Sequence, residues 1–199
     1  EMSFMNTVEP IRDIEKLQKM KKLIKKEKGI KEWLVVVFGL NTGLRISDIL
    51  SLRWGDIMNG KVRDKVYIRE KKTSKEKTFI LNDSVKDGVE EYLNYLKKES
   101  YQIIPDNYVF FSSRRVNKPL TRQYIHKIIN EYGKRVGLDE EKLGTHSLRK
   151  TMGWYLRTNK NVGIEVLMKL FNHSSTRITE RYIGLEQKEI DDVYSKVDI

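Results

Sequence analysis

Three short stretches of this 199-residue chain bring together side chains suited to gripping an anion. Thr145-His146-Ser147-Leu148-Arg149 sets a histidine and an arginine three residues apart, which on a helix puts both on one face, where together they can hold a phosphate. Alone, this pairing is common on polar surfaces. Asn41-Thr42-Gly43-Leu44-Arg45-Ile46-Ser47-Asp48 places Arg45 where a glycine break feeds a helix start, and the free amides of such a start favour anions. Asp48, three residues on, is a ready partner for Arg45, and a carboxylate that fixes a functional arginine is compatible with both roles. The third stretch holds His173 and Tyr182, nine residues apart. On one unbroken helix, at about 100° per residue, they would face opposite ways. Asn172-His173-Ser174-Ser175-Thr176 supplies the break that a shared site needs, with Ser175 or Thr176 as N-cap of a new short helix. Tyr182 by itself is one of ten tyrosines, for which packing is the ordinary role.

These groups need a frame. From Pro10 to Lys28 the apolar residues Ile11, Ile14, Leu17, Leu23 and Ile24 recur at helical spacing among Lys19, Lys21, Lys22, Lys25, Lys26 and Lys28, the pattern of an amphipathic helix with a basic end. Gly29 closes it. The almost wholly apolar run Trp33 to Leu40 predicts a helix buried on most sides, and a further helix is expected over Ile46 to Arg53, ended by Trp54-Gly55-Asp56. Val66-Tyr67-Ile68-Arg69 and Thr78-Phe79-Ile80-Leu81 predict a β-hairpin around a lysine-rich turn, with a third short strand near Ile57. Helical patterns return over Ser84 to Lys98, Thr121 to Arg135, His146 to Thr158 and Val162 to Phe171, followed by shorter pieces around Tyr182 and Ile190. Between them Val109-Phe110-Phe111 reads as a short buried segment and Ser112-Ser113-Arg114-Arg115 as a basic loop. The expected fold class is therefore α+β and mainly helical, with one small antiparallel sheet.

Composition narrows the partners. A formal charge of +11 favours a polyanion, because clustered Lys and Arg displace the counterions condensed on nucleic acid. No apolar run approaches the roughly 20 residues of a membrane span, so no membrane partner is expected. There is no cysteine, which removes disulfides and thiolate chemistry and suits a reducing cytoplasm. His126, His146 and His173 lack metal-ligand spacing, so no metal or other cofactor is expected.

Taken in order, Thr42-Gly43-Leu44-Arg45-Ile46-Ser47-Asp48, a hairpin lysine, His146-x-x-Arg149, Asn172-His173-Ser174-Ser175 and Arg181-Tyr182 resemble the tyrosine recombinases, also called phage integrases. The spacing agrees, with Arg149 to His173 at 24 residues and His173 to Tyr182 at nine. Two departures are small. Asp48 stands where many members have glutamate, and Phe171-Asn172 replaces the commoner Leu-Gly before the histidine.

The resemblance implies a metal-free attack of Tyr182 on a phosphodiester of double-stranded DNA, giving a 3′-phosphotyrosyl link and a free 5′-hydroxyl. It assigns His146 as general base, Arg45, Arg149 and His173 as donors to the charge that develops on the phosphate, and Asp48 as a supporting carboxylate. It places the general acid on a lysine of the hairpin turn, Lys72, with Lys71 and Lys75 in the same turn. It also implies a homo-tetramer on two duplexes, monomeric without DNA, with Ile190, Val193 and Val197 as a face that a C-terminal segment lends to a neighbour or packs within its own chain. The expected organisation is an extension over residues 1–10, a catalytic domain over 11–190 and a tail over 191–199. The DNA-clamping domain that many members carry ahead of the catalytic one has no counterpart here, which fits either a fragment or a minimal type with weaker DNA binding. Type IB topoisomerase-like relaxation and a non-catalytic DNA-binding role on the same fold are the rival readings, and RNA binding is a weaker one.

Overall fold

The computed structural model describes residues 8–139, 142–185 and 194–196. The basic amphipathic stretch forms α1 (Ile14–Glu27), which starts where the Asp13 side chain accepts the amide of Lys16. Pro10-Ile11-Arg12 thus precedes the helix, since a capping aspartate supplies the acceptor that the first-turn amides lack. α2 (Ile30–Thr42) is the buried helix that the apolar run requires, with Leu34 to Gly39 all buried.

The helix expected from Ile46 to Arg53 divides in two. α3 (Ile46–Leu50) ends early, and α4 (Trp54–Ile57) starts from a box in which Asp56 accepts the backbone amide of Arg53. Trp54-Gly55-Asp56, expected as a terminator, is therefore itself a turn of helix. β1 (Met58–Asn59) and β2 (Lys61–Val62) pair tightly about Gly60. The strand expected near Ile57 does not join the hairpin, because the left-handed φ of Gly60 folds the chain back onto its own neighbour.

The hairpin forms as expected from β3 (Lys65–Arg69) and β4 (Glu76–Ile80), in antiparallel register from Lys65↔Ile80 to Arg69↔Glu76. Val66 and Phe79 face the interior. α5 (Asp83–Lys98) and α6 (Arg122–Arg135) are capped by Asn82 and Thr121. α7 (Thr145–Asn159), α8 (Ile164–Phe171) and α9 (Thr176–Ile183) complete the described helices. Among described residues no helix is long and apolar enough to cross a membrane.

Two apolar clusters organise these elements. The main one runs from Ile11 and α1 through α2, α3, the base of the hairpin, α5 and α6 to Leu148 of α7. A second, smaller one consists of Leu167, Phe171 and Ile183 from α8 and α9, covered by Trp154, Leu170 and Tyr182. α7 belongs to both. A Cβ at Gly39 would lie 2.7 Å from Leu148, and one at Gly153 would lie 2.6 Å from Ile183 and 2.7 Å from Phe171. Each glycine is therefore what lets α7 approach its neighbour.

Candidate active site

The site forms where four elements end near one another: the α2–α3 junction, the start of α7, the α8–α9 turn and the hairpin. Gly43 closes α2 with φ of +62°, a left-handed turn that points its carbonyl inward. Arg149, fully buried on the first half of α7, donates from Nη1 to that carbonyl and from Nη2 to the carbonyl of Phe171, both at 2.9 Å. One guanidinium thus joins the ends of α2 and α8, a geometry that needs the planar fork of arginine.

Beyond Phe171 the chain must turn, and Asn172 makes the turn at φ +56°. Asparagine tolerates the left-handed region better than other residues with a Cβ, so the departure from Leu-Gly leaves the geometry intact. Ser175, one of the two caps the sequence offered, then starts α9 by accepting the amide of Ile178. The break turns His173 toward Tyr182. Their rings meet edge to face at 4.9 Å, and Phe171 lies 5.4 Å from each. His173 Nδ1 shares a 3.0 Å hydrogen bond with Thr179, which fixes the imidazole on its own helix turn.

Tyr182 is overlooked by two cations, with Arg149 Cζ 5.8 Å and Lys150 Nζ 5.1 Å from its ring centre. Its hydroxyl is buried and lies against the Arg149 guanidinium without a fully aligned hydrogen bond. Burial pushes the hydroxyl pKa up, while Arg149 and Arg45 pull it down. Such a group is costly to bury unless a further acceptor or donor arrives.

Both site histidines are neutral at physiological pH. Burial, reinforced by Arg122, Arg149, Lys150 and Arg45, pushes His146 down to about 4. His173 is likewise pushed down to about 4, by burial and then by Arg149, Arg45 and Lys77. A neutral imidazole can accept a proton, as a general base must.

Asp48 corrects a detail of the sequence reading. Arg45 pairs instead with Glu70 at the end of β3, at 3.0 Å from Nη1 to Oε1. Asp48 turns to the hairpin and accepts the backbone amide of Lys71 at 2.9 Å. The reason is local: Arg45 is the extended N-cap of α3, so its side chain leaves toward β3 while Asp48 stands a turn further on. The Arg45–Glu70 contact lacks hydrogen-bond alignment, and Arg45 Nη1 and Asp48 Oδ2 remain buried without a hydrogen-bond partner.

The structure gathers Arg45, His146, Arg149, His173 and Tyr182 into one electrostatic neighbourhood, in which each feels at least one of the two arginines. Lys72 is exposed in the hairpin turn with Lys71 and Lys75. Sequence reasoning missed Glu70, Lys77, Lys150, Thr179 and Gly153. Gly153 inside a helical pattern was visible as an oddity, but nothing in the sequence tied it to the site or set Lys77 apart from the other hairpin lysines.

With this geometry in hand, comparison with known proteins is decisive. The model of the phage integrase family matches residues 12–189. The chain belongs to the phage integrase family. It is 38% identical over 186 residues to the Bacillus subtilis (strain 168) protein named "Probable integrase/recombinase YoeC", covering 92% of this chain and 93% of that one. It is 26% identical to tyrosine recombinase XerC of Caldanaerobacter subterraneus subsp. tengcongensis, over 90% of this chain but 49% of the relative. Its fold matches the crystal structure of XerA recombinase with a TM-score of 0.74 at 18% identity, over 97% of this chain and 65% of that one. It matches XerH site-specific recombinase bound to palindromic difH substrate with the same TM-score at 20% identity, over 94% and 52%. The integrase thus spans nearly all of YoeC and about half to two thirds of the Xer relatives. The mainly helical α+β fold expected of a tyrosine recombinase catalytic domain is the observed one.

Proposed function

We propose that this integrase is a site-specific DNA recombinase that cuts and rejoins strands through a 3′-phosphotyrosyl link on Tyr182. The observation that carries this reading is the Tyr182 hydroxyl, buried beside Arg149 and in the field of Arg45, with its ring against His173. A scissile phosphate supplies what these groups lack, because an anion between two arginines gives Arg45 Nη1, paired with Glu70 but without an aligned hydrogen bond, a better acceptor and brings the tyrosine oxygen to phosphorus.

In the proposed step the Tyr182 oxygen bonds to phosphorus and the bond from phosphorus to the 5′-oxygen breaks. The tyrosine proton passes to neutral His146, and the departing oxygen takes a proton from Lys72. Arg45, Arg149 and His173 stabilise the charge on the non-bridging oxygens. The link conserves the phosphodiester energy, so a 5′-hydroxyl from a second duplex reseals the strand by the reverse path. Double-stranded DNA is therefore the partner, and exchange between two duplexes calls for a tetramer on DNA. The residues proposed to be lent between protomers, Ile190, Val193 and Val197, lie outside the described residues.

The test is covalent trapping. Nicked duplexes tiled across the DNA flanking the chain's own gene, and a randomised duplex library, are incubated with the protein and run on denaturing gels. The wild type is expected to form an adduct that Tyr182→Phe reduces to background. No adduct from the wild type on either set, or an undiminished one from Tyr182→Phe, would refute the reading.

A further inference from the structure

The distal part of the hairpin leaves the apolar core behind. Val66 and Phe79 are buried at its base. From residue 69 to 78, however, the structure buries only Glu70 and Lys77, one acid and one base. Two charged side chains have thus replaced apolar packing where the strands run past the main core, and both reach the site. Glu70 meets Arg45 and accepts a 2.6 Å hydrogen bond from Thr73 in the turn. Lys77 crosses to α8 and donates from Nζ to the carbonyl of Leu170 at 2.7 Å.

Leu170 directly precedes Phe171, whose carbonyl holds Arg149, and stands three residues before His173. The β3 side of the turn is therefore seated against the α2–α3 junction, through Glu70 and the Lys71 amide. The β4 side is seated against the end of α8 by Lys77. We propose that Lys77 is a positioning residue that seats the hairpin turn, and with it Lys72, against the end of α8. This rests on the reading of Lys72 as general acid.

The environment supports a seating role. Burial, then the Arg149 and Arg45 charges, push Lys77 down to about 8 against the opposing pull of Glu70 and Asp48, and the ammonium is engaged with a carbonyl rather than presented from the turn. An ammonium held this way fixes a strand more firmly than an apolar side chain would, because leaving the carbonyl strands a charge in a half-dry site.

The experiment uses the full chain and the duplex on which the wild type forms its adduct. That duplex is prepared in two forms, with oxygen or with sulfur at the bridging 5′ position of the scissile phosphate. A thiolate leaves without a proton because thiols are far more acidic than alcohols, so loss of general-acid help is repaired by sulfur and other defects are not. Lys72→Ala should slow cleavage of the oxygen duplex about 10²–10⁴-fold, the usual range for a missing acid. Lys77→Met should slow it about 10–100-fold, the scale of a misplaced supporting group. Sulfur should restore both to within a few-fold of wild type. Lys77→Arg, which keeps a cation and donor, should retain most of the activity.

Thermal melts check that each variant folds, and amide exchange at Glu70, Lys71 and Ser74 should quicken in Lys77→Met while α2 stays protected. Equal slowing of Lys77→Met on both duplexes, or no slowing, would overturn the proposal. So would a normal rate for Lys72→Ala, since Lys72 would then not be the acid that Lys77 is proposed to seat. Should Lys77→Met not fold, Lys77→Gln takes its place under the same criteria. Failure of the recombinase reading looks different, since the wild type then gives no adduct at all and the proposal falls with it.

Discussion

Arg45, His146 and Arg149 project from elements seated in the main apolar cluster, whereas His173 in the α8–α9 turn and Tyr182 on α9 are carried by a pair of helices whose own buried set is Leu167, Phe171 and Ile183. The two halves of the site are thus built with different amounts of support. The arginines form a frame, Arg149 anchored on the backbone carbonyls of Gly43 and Phe171 and Arg45 paired with Glu70. The nucleophile sits on the smaller cluster, and segments with few buried apolar contacts open at lower free energy than the core does. A buried tyrosine that must meet a phosphate profits from a carrier that can adjust, while the charges that receive the phosphate profit from rigidity.

The frame side is probed most strongly by Arg149→Lys. A lysine cannot bridge the Gly43 and Phe171 carbonyls with a fork, so strand cleavage should fall about 10²–10³-fold, the scale of a lost transition-state donor. Single-turnover rates on the trapped duplex measure this, and a loss under threefold would mean that the frame is not what holds the phosphate. The next effect concerns the joint between the halves. Gly153→Val forces a side chain onto Ile183 and Phe171 and should destabilise by about 1–3 kcal/mol, with amide exchange rising first in α9. Gly39→Ala presses on Leu148 and should open α2 instead. If both variants open the same amides, the two clusters are one cooperative unit and the nucleophile has no separately adjustable carrier.

Thr179→Val removes the partner of His173 Nδ1. Cleavage should slow about 2–10-fold, as for one orienting hydrogen bond, with the melting temperature nearly unchanged.

The remaining effect is electrostatic. His146 and His173 are both held near 4, below the usual value of 6.5. Below about 6.5 the unfolded chain binds protons that the folded chain refuses, so stability should fall from pH 6.5 to 4 and show no contribution from these groups above that window. A His146→Gln, His173→Gln double variant should show a flatter melting profile over this range. A profile as steep as wild type would place the acid sensitivity elsewhere.

Much of this was legible in one dimension. Helix periods located α1, α2 and α5 to α9, and β-favouring runs located the hairpin, because each pattern repeats over enough residues to overrule its exceptions. The short elements were not legible. α3 and α4 are too brief for a period, and whether they are one helix or two was set by Asp56 reaching the Arg53 amide. Likewise the sequence offered Asp48 for Arg45 on spacing alone, while the partner that burial selected, Glu70, is 25 residues away.

Which groups take part, and their order along the chain, follow from residue type and spacing: two arginines, two histidines, a tyrosine, a turn full of lysines and a break that turns Tyr182 to His173. What holds each of them follows from the packing, because a partner's identity depends on where chain ends meet. Gly43 and Phe171 lie 128 residues apart and share one guanidinium. Lys77, indistinguishable in the sequence from its neighbours in a basic hairpin, is buried on Leu170 because the strand carries it past the core and onto the end of α8.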